Sequence, residues 1–244
     1  MNMTFHHSLR SALCALLLAL PSALCAQSVV VPCYEPSVAT MALASVPNGQ
    51  ESKLWLVMNP NSGPGKTKDV AYDAVIKQAR VRGAVVGFYI DLLAIPGDGV
   101  HGSKVERWKT VAEIIAERAD YIRFYGTPGF WFFDDVRSEN VCDKLILRTQ
   151  TQLPVVLNPG TNYVPPMPLP ASWVVITYES AGLPKSSISG GAIALRLAPT
   201  AFPKFLNLTK GARLRYAHTL DDQWRRGQTA YNTLSPYFER LFPR

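Results

Sequence analysis

The chain has 244 residues, 48% hydrophobic and 18% charged, with 25 basic against 18 acidic side chains and a formal net charge of +7. That apolar fraction excludes a polar disordered chain, and the length suits one large domain with a well-filled core. No run of Lys and Arg is interleaved with aromatics, so nucleic acid is not expected as a partner.

Residues 1–26 read as a signal peptide. Arg10 supplies the basic start, residues 12–20 form an apolar run, Pro21 breaks it, and Ala23-Leu24-Cys25-Ala26 offers small residues for cleavage. The run is shorter than the roughly 20 apolar residues that span a bilayer. The mature protein, residues 27–244, is therefore expected to be secreted or periplasmic, with no integral membrane segment. Cys14 and Cys25 leave with the signal, while Cys33 and Cys142 stay. In an oxidising compartment those two either pair or sit as two buried thiols, and both readings stand. Only His101 and His218 remain as histidines, without HExxH or Cys-x-x-Cys spacing, so neither a metal nor a cofactor is expected.

Short apolar runs rich in β-branched and aromatic residues then recur in chain order. Strands are predicted at 29–33, 54–58, 84–90, 130–133, 155–157 and 173–178, with weaker ones at 192–197 and 213–217. Most are nearly continuous in apolar residues, as parallel strands buried on both faces require. Between them, Val70, Ala74, Val75 and Ala79 share one helical face that ends at Gly83. A second helix is expected to open with the capping box Ser103-Lys104-Val105-Glu106 and to carry Val105, Trp108, Val111, Ala112 and Ile115. Further helices are predicted after Ser138 and after Ser235-Pro236. Eight strands alternating with helices predict a single-domain (β/α)8 barrel of α/β class, with an open doubly wound sheet as the alternative.

In such barrels the chemistry gathers at the C-terminal ends of the strands. Here the strand exits carry Tyr34 and Glu35, Asn59, Asp91, Asp134 and Asp135, Asn158, and Glu179. Acids and amides dominate, while Lys, Cys and His are missing from this set. Two carboxylates at one mouth can divide acid and nucleophile roles, as glycoside hydrolysis requires. Asp135 also suits a helix N-cap. The stretch Asn61-Ser62-Gly63-Pro64-Gly65-Lys66-Thr67 imitates a phosphate loop, but Pro60 holds the position of the leading glycine, so it reads as a tight turn aiming Asn59 into the mouth. No Gly-x-Ser-x-Gly elbow supports a serine hydrolase.

These same residues carry a resemblance. Val31-Pro32-Cys33-Tyr34-Glu35-Pro36, Asn59-Pro60-Asn61-Ser62-Gly63-Pro64-Gly65, Gly87-Phe88-Tyr89-Ile90-Asp91, Gly129 through Asp135, Leu157-Asn158-Pro159-Gly160, Thr177-Tyr178-Glu179 and Tyr231-Asn232-Thr233-Leu234-Ser235-Pro236 follow one another in order. In this the chain resembles the spherulation-specific family 4 (spherulin 4-like) proteins, which include (β/α)8 glycoside hydrolases acting on galactosamine-containing polysaccharides. The resemblance implies a polysaccharide substrate, with Asp134 as nucleophile and Glu179 as general acid/base, although the residues alone leave the opposite order open. It implies that Tyr34, Asn59, Asp91 and Asn158 position the sugar. Asp135 stands where the family motif has a glutamate, one methylene longer, and a non-catalytic carbohydrate-binding protein is the alternative reading. Nothing in the sequence speaks to oligomeric state.

Overall fold

The computed structural model describes residues 27–94, 107–136, 152–160, 169–220 and 229–243. The predicted signal peptide, His101, the Ser103–Glu106 capping box, the helix after Ser138, Cys142, most of the proline loop at 165–170, and Asp221-Asp222 lie outside the described residues.

Eight parallel strands close into a barrel. They are β1 (Ser28–Cys33), β2 (Leu54–Met58), β3 (Val85–Asp91), β6 (Phe130–Asp134), β7 (Val155–Asn158), β8 (Val174–Ala181), β9 (Gly191–Leu195) and β10 (Leu214–Ala217). Their order around the barrel is β1-β10-β9-β8-β7-β6-β3-β2. A separate antiparallel ribbon pairs β4 (Leu93–Ala94) with β5 (Arg107–Trp108). The barrel choice is thus correct and the open sheet is not. Every residue of β1, β2, β7, β9 and β10 is buried, which is why their sequences run apolar instead of alternating.

Two layers of packing hold the barrel. Inside it, Trp55 of β2 lies against Phe130 of β6 with ring centroids 4.6 Å apart. Gly87 of β3 leaves the space that the Phe130 ring fills, since a Cβ there would sit 2.3 Å from a ring carbon. Outside, Phe88 stacks on Tyr121 of a surrounding helix at 4.6 Å, and Arg118 sits 5.0 Å from the Trp131 ring centroid.

The helices are set by local signals. In α1 (Pro36–Ser45) proline occupies the first turn, where its missing N–H costs nothing. The Asp69 side chain caps α2 (Val70–Val81) by accepting from the N–H groups of Ala71 and Tyr72. Val75, Ile76 and Ala79 of α2 are buried, and Gly83 follows at φ +83°. The next helix, α3 (Val111–Tyr125), corrects the sequence reading: its capping box is Thr110–Glu113, and Trp108 belongs to the ribbon, paired with Leu93. Thr110 in extended geometry followed three residues later by Glu113 satisfies the same orphan N–H groups that the Ser103 pattern promised. A short α4 (Phe202–Leu208) buries Phe202 and Phe205. After Ser235-Pro236 the chain forms a 3-10 turn, Phe238–Leu241, where a helix was expected. Strand β8 runs past Glu179 to Ala181, so that acid sits within a strand and not at its exit.

Cys33 is a buried free thiol, its Sγ bonded to the Val31 carbonyl at 3.3 Å. No helix among the described residues is long and apolar enough to cross a membrane.

Candidate active site

Strand register decides which side chains meet at the C-terminal rim. Asp91 pairs with Asp134 across β3 and β6, and Asp134 pairs with Asn158 across β6 and β7. Asp134 and Asn158 therefore share a row and a face. Asn158 is only 4% exposed, and its Nδ2 donates to Asp134 Oδ1 at 2.8 Å. The same nitrogen donates to Glu179 Oε2 at 2.6 Å. One amide thus bridges two carboxylates. Oxygens bonded to a single nitrogen lie within roughly 5 Å of one another, the spacing of a retaining glycosidase pair.

Glu179 reaches this point from β8, where the register against β9 shifts between Ile176 and Tyr178. An extra residue of this kind twists a strand and re-aims the side chains that follow. The other oxygen of Glu179 accepts from the Tyr231 hydroxyl. Tyr231 comes from the C-terminal segment, which docks on the rim through Tyr34 N–H to Tyr231 O at 3.0 Å and Tyr216 O–H to Ala230 O at 3.1 Å.

Asp134 accepts two more hydrogen bonds. Tyr89 O–H donates to its Oδ2 at 2.7 Å, and the Asp135 N–H donates to its Oδ1 at 2.9 Å. Burial nevertheless pushes its carboxyl up to about 7, with the Glu179 charge adding to the rise and the Tyr89 bond opposing it. Removal from water disfavours the anion by more than these donors restore. The result is an acid able to hold or release a proton near neutral pH.

Aromatic side chains wall the pair. The Tyr34 ring, 36% exposed, lies 5.9 Å from Tyr89 and 5.3 Å from Tyr231. Burial, reinforced by the neighbouring carboxylates, raises all three phenols, so each stays neutral. Asn59 is 4% exposed, and its Oδ1 has no hydrogen-bond partner among the described residues. After it, the turn places Ser62 at φ +49° and borders a cavity of about 440 Å³ lined in part by Pro60, Asn61, Pro64 and Lys66.

Of the residues expected from sequence, Asp134, Glu179, Asn158, Asn59 and Tyr34 converge. Asp91 stands in register with Asp134, and its Oδ1 accepts the Leu93 N–H at 2.7 Å at the turn into the ribbon. Asp135 follows β6 in the left-handed region at φ +57° and contributes its backbone N–H to Asp134. Glu35 is exposed. Tyr89 and Tyr231 were missed. Tyr89 was recoverable in principle, since it lies two residues before Asp91 on the same strand and so shares its face; Tyr231 carried no strand-end signal. Neither a protein-family model nor a curated protein matches this chain, so function is read from the site itself.

Proposed function

We propose that the protein is an exported glycoside hydrolase of the spherulin 4-like kind, cleaving a galactosamine-type polysaccharide with the Asp134–Glu179 pair. The observation that carries this reading is the single Asn158 amide held between the two carboxylates. That spacing suits retention through a covalent glycosyl-enzyme.

Two close carboxylates favour holding one proton between them, and this reading assigns it to Asp134, whose carboxyl burial raises. Asp134 then acts as general acid, giving its proton to the leaving glycosidic oxygen. Glu179, with both oxygens accepting hydrogen bonds, attacks the anomeric carbon. In the second step the Asp134 carboxylate takes a proton from water, and that water displaces Glu179 and regenerates the starting state. This order is the reverse of the one that the family resemblance implies. The exposed Tyr34 ring offers a stacking face for a sugar, and Asn59 Oδ1 accepts from a sugar O–H or N–H. An acidic mouth in a chain of net charge +7 reconciles a basic protein with an amine-bearing substrate.

Asp134→Asn and Glu179→Gln should each lower the release of reducing ends from partly deacetylated galactosamine polymers by about 10³-fold or more, with circular dichroism unchanged. Full activity in either variant contradicts the assignment. Asp135, shorter than the family glutamate and turned into left-handed backbone, favours the second reading, a non-catalytic carbohydrate-binding protein. Polymer binding by the wild type without new reducing ends would select it.

A further inference from the structure

Tyr231, whose hydroxyl donates to Glu179 Oε1, comes from outside the barrel strands, and the backbone around it is tied down by several hydrogen bonds. Its N–H donates to Thr229 Oγ1 at 3.1 Å, and the Thr229 N–H donates to Asn232 Oδ1 at 2.6 Å. The Thr233 hydroxyl donates to Thr229 O at 2.8 Å, and the Ser235 hydroxyl ties the same segment to Ala217 O on β10. His218 fastens it once more. Its Nδ1 accepts the Leu220 N–H at 2.9 Å, which leaves Nε2 to carry the proton toward Thr233 Oγ1 at 3.2 Å. Tyr231 itself is 9% exposed and packs its ring on Tyr34.

We infer that Tyr231 is a positioning residue that keeps Glu179 the ionised, attack-ready member of the carboxylate pair. A phenol O–H aimed at one carboxylate oxygen stabilises the anion and fixes its rotamer. With Asn158 on the other oxygen, Glu179 is gripped at both ends. The C-terminal segment is therefore part of the site and not merely a cover for the barrel. This deepens the hydrolase reading and rests on it for its consequences in turnover; the hydrogen-bond coupling itself does not.

The test is Tyr231→Phe, which keeps the ring contact with Tyr34 and every backbone bond of the segment. Titrating the Glu179 carboxyl by ¹³C NMR, with Glu179→Gln to assign the signal, should show its midpoint rising by about one pH unit in the variant. On galactosamine polymer, kcat should fall at least tenfold with KM little changed, and the acidic limb of the pH–rate profile should move up in step with the titration. An unchanged Glu179 midpoint overturns the inference, whether or not the polymer is cleaved. A wild type that cleaves no polymer speaks against the hydrolase reading alone, because the titration still decides the role of Tyr231. If Tyr231→Phe does not fold, 3-fluorotyrosine at position 231 replaces it. Its more acidic hydroxyl should lower the Glu179 midpoint, and no movement contradicts the coupling.

Discussion

Asp134 is held under electrostatic tension that has a cost in stability. Its carboxyl titrates near 7 in the folded protein against 3.8 for the ordinary group, so the folded state binds the proton more tightly than the unfolded chain does. The stability linked to that proton is fully present below pH ~4 and lost as pH rises through about 7. At roughly 1.4 kcal/mol per pKa unit, the loss above neutrality is of order a few kcal/mol. Asp134→Asn carries no charge to desolvate and can still accept from Asn158 and the Asp135 N–H. It should therefore melt several degrees above the wild type at pH 8, with the gap closing toward pH 4, as followed by calorimetry. A variant less stable than wild type at pH 8 would show that the hydrogen bonds to the carboxylate outweigh its burial. At this scale the sequence was partly legible. Asp134, Asn158 and Asn59 were found because strand exits can be read from apolar runs. Asp91 was found for the same reason and lies in the same row as Asp134, but its bond to the Leu93 N–H is a local turn contact that the sequence does not show.

Six of the eight strands were read to within a residue at each end because burial on both faces leaves a nearly unbroken apolar signature, whereas the half-exposed β8 runs three residues past its predicted end and β9 stops two residues short of it. Helix starts were less legible. Two Ser/Thr-x-x-Glu patterns lie seven residues apart, at Ser103 and Thr110, and only pairing of Trp108 with Leu93 shows which one opens the helix. The shift in β8 was invisible, since an extra residue in a strand changes neither composition nor length of the apolar run, yet it lies just before Glu179. Packing between elements gives a sharper prediction. Gly87→Ala drives a methyl into the Phe130 ring at 2.3 Å, an overpacking that should cost ~1–3 kcal/mol. Urea unfolding should show the midpoint fall, and Phe130→Leu in the same chain should recover part of it. No loss on Gly87→Ala would mean that the ring moves aside freely and that the barrel interior is less tightly packed than these contacts require.

Across the whole molecule, residues remote in sequence assemble one rim. The acids come from β6 and β8, the bridging amide from β7, one tyrosine from the residue after β1, another from β3, and the last from the segment that follows β10. The barrel order was predictable from alternation of strands and helices, but the return of the C-terminal segment over the mouth was not. Its anchors are side-chain to backbone bonds, which leave no periodic pattern. What this assembly is proposed to do comes down to two carboxylates acting on opposite sides of one glycosidic bond at a separation near 5 Å. The most direct measurement is ¹H NMR of the anomeric protons during the first minutes of digestion of a galactosamine oligomer. The first product should carry the anomeric configuration of the substrate and drift only later to the equilibrium mixture. Inverted product would contradict so close a pair, and an oligomer that binds without any new anomeric signal would contradict hydrolysis altogether.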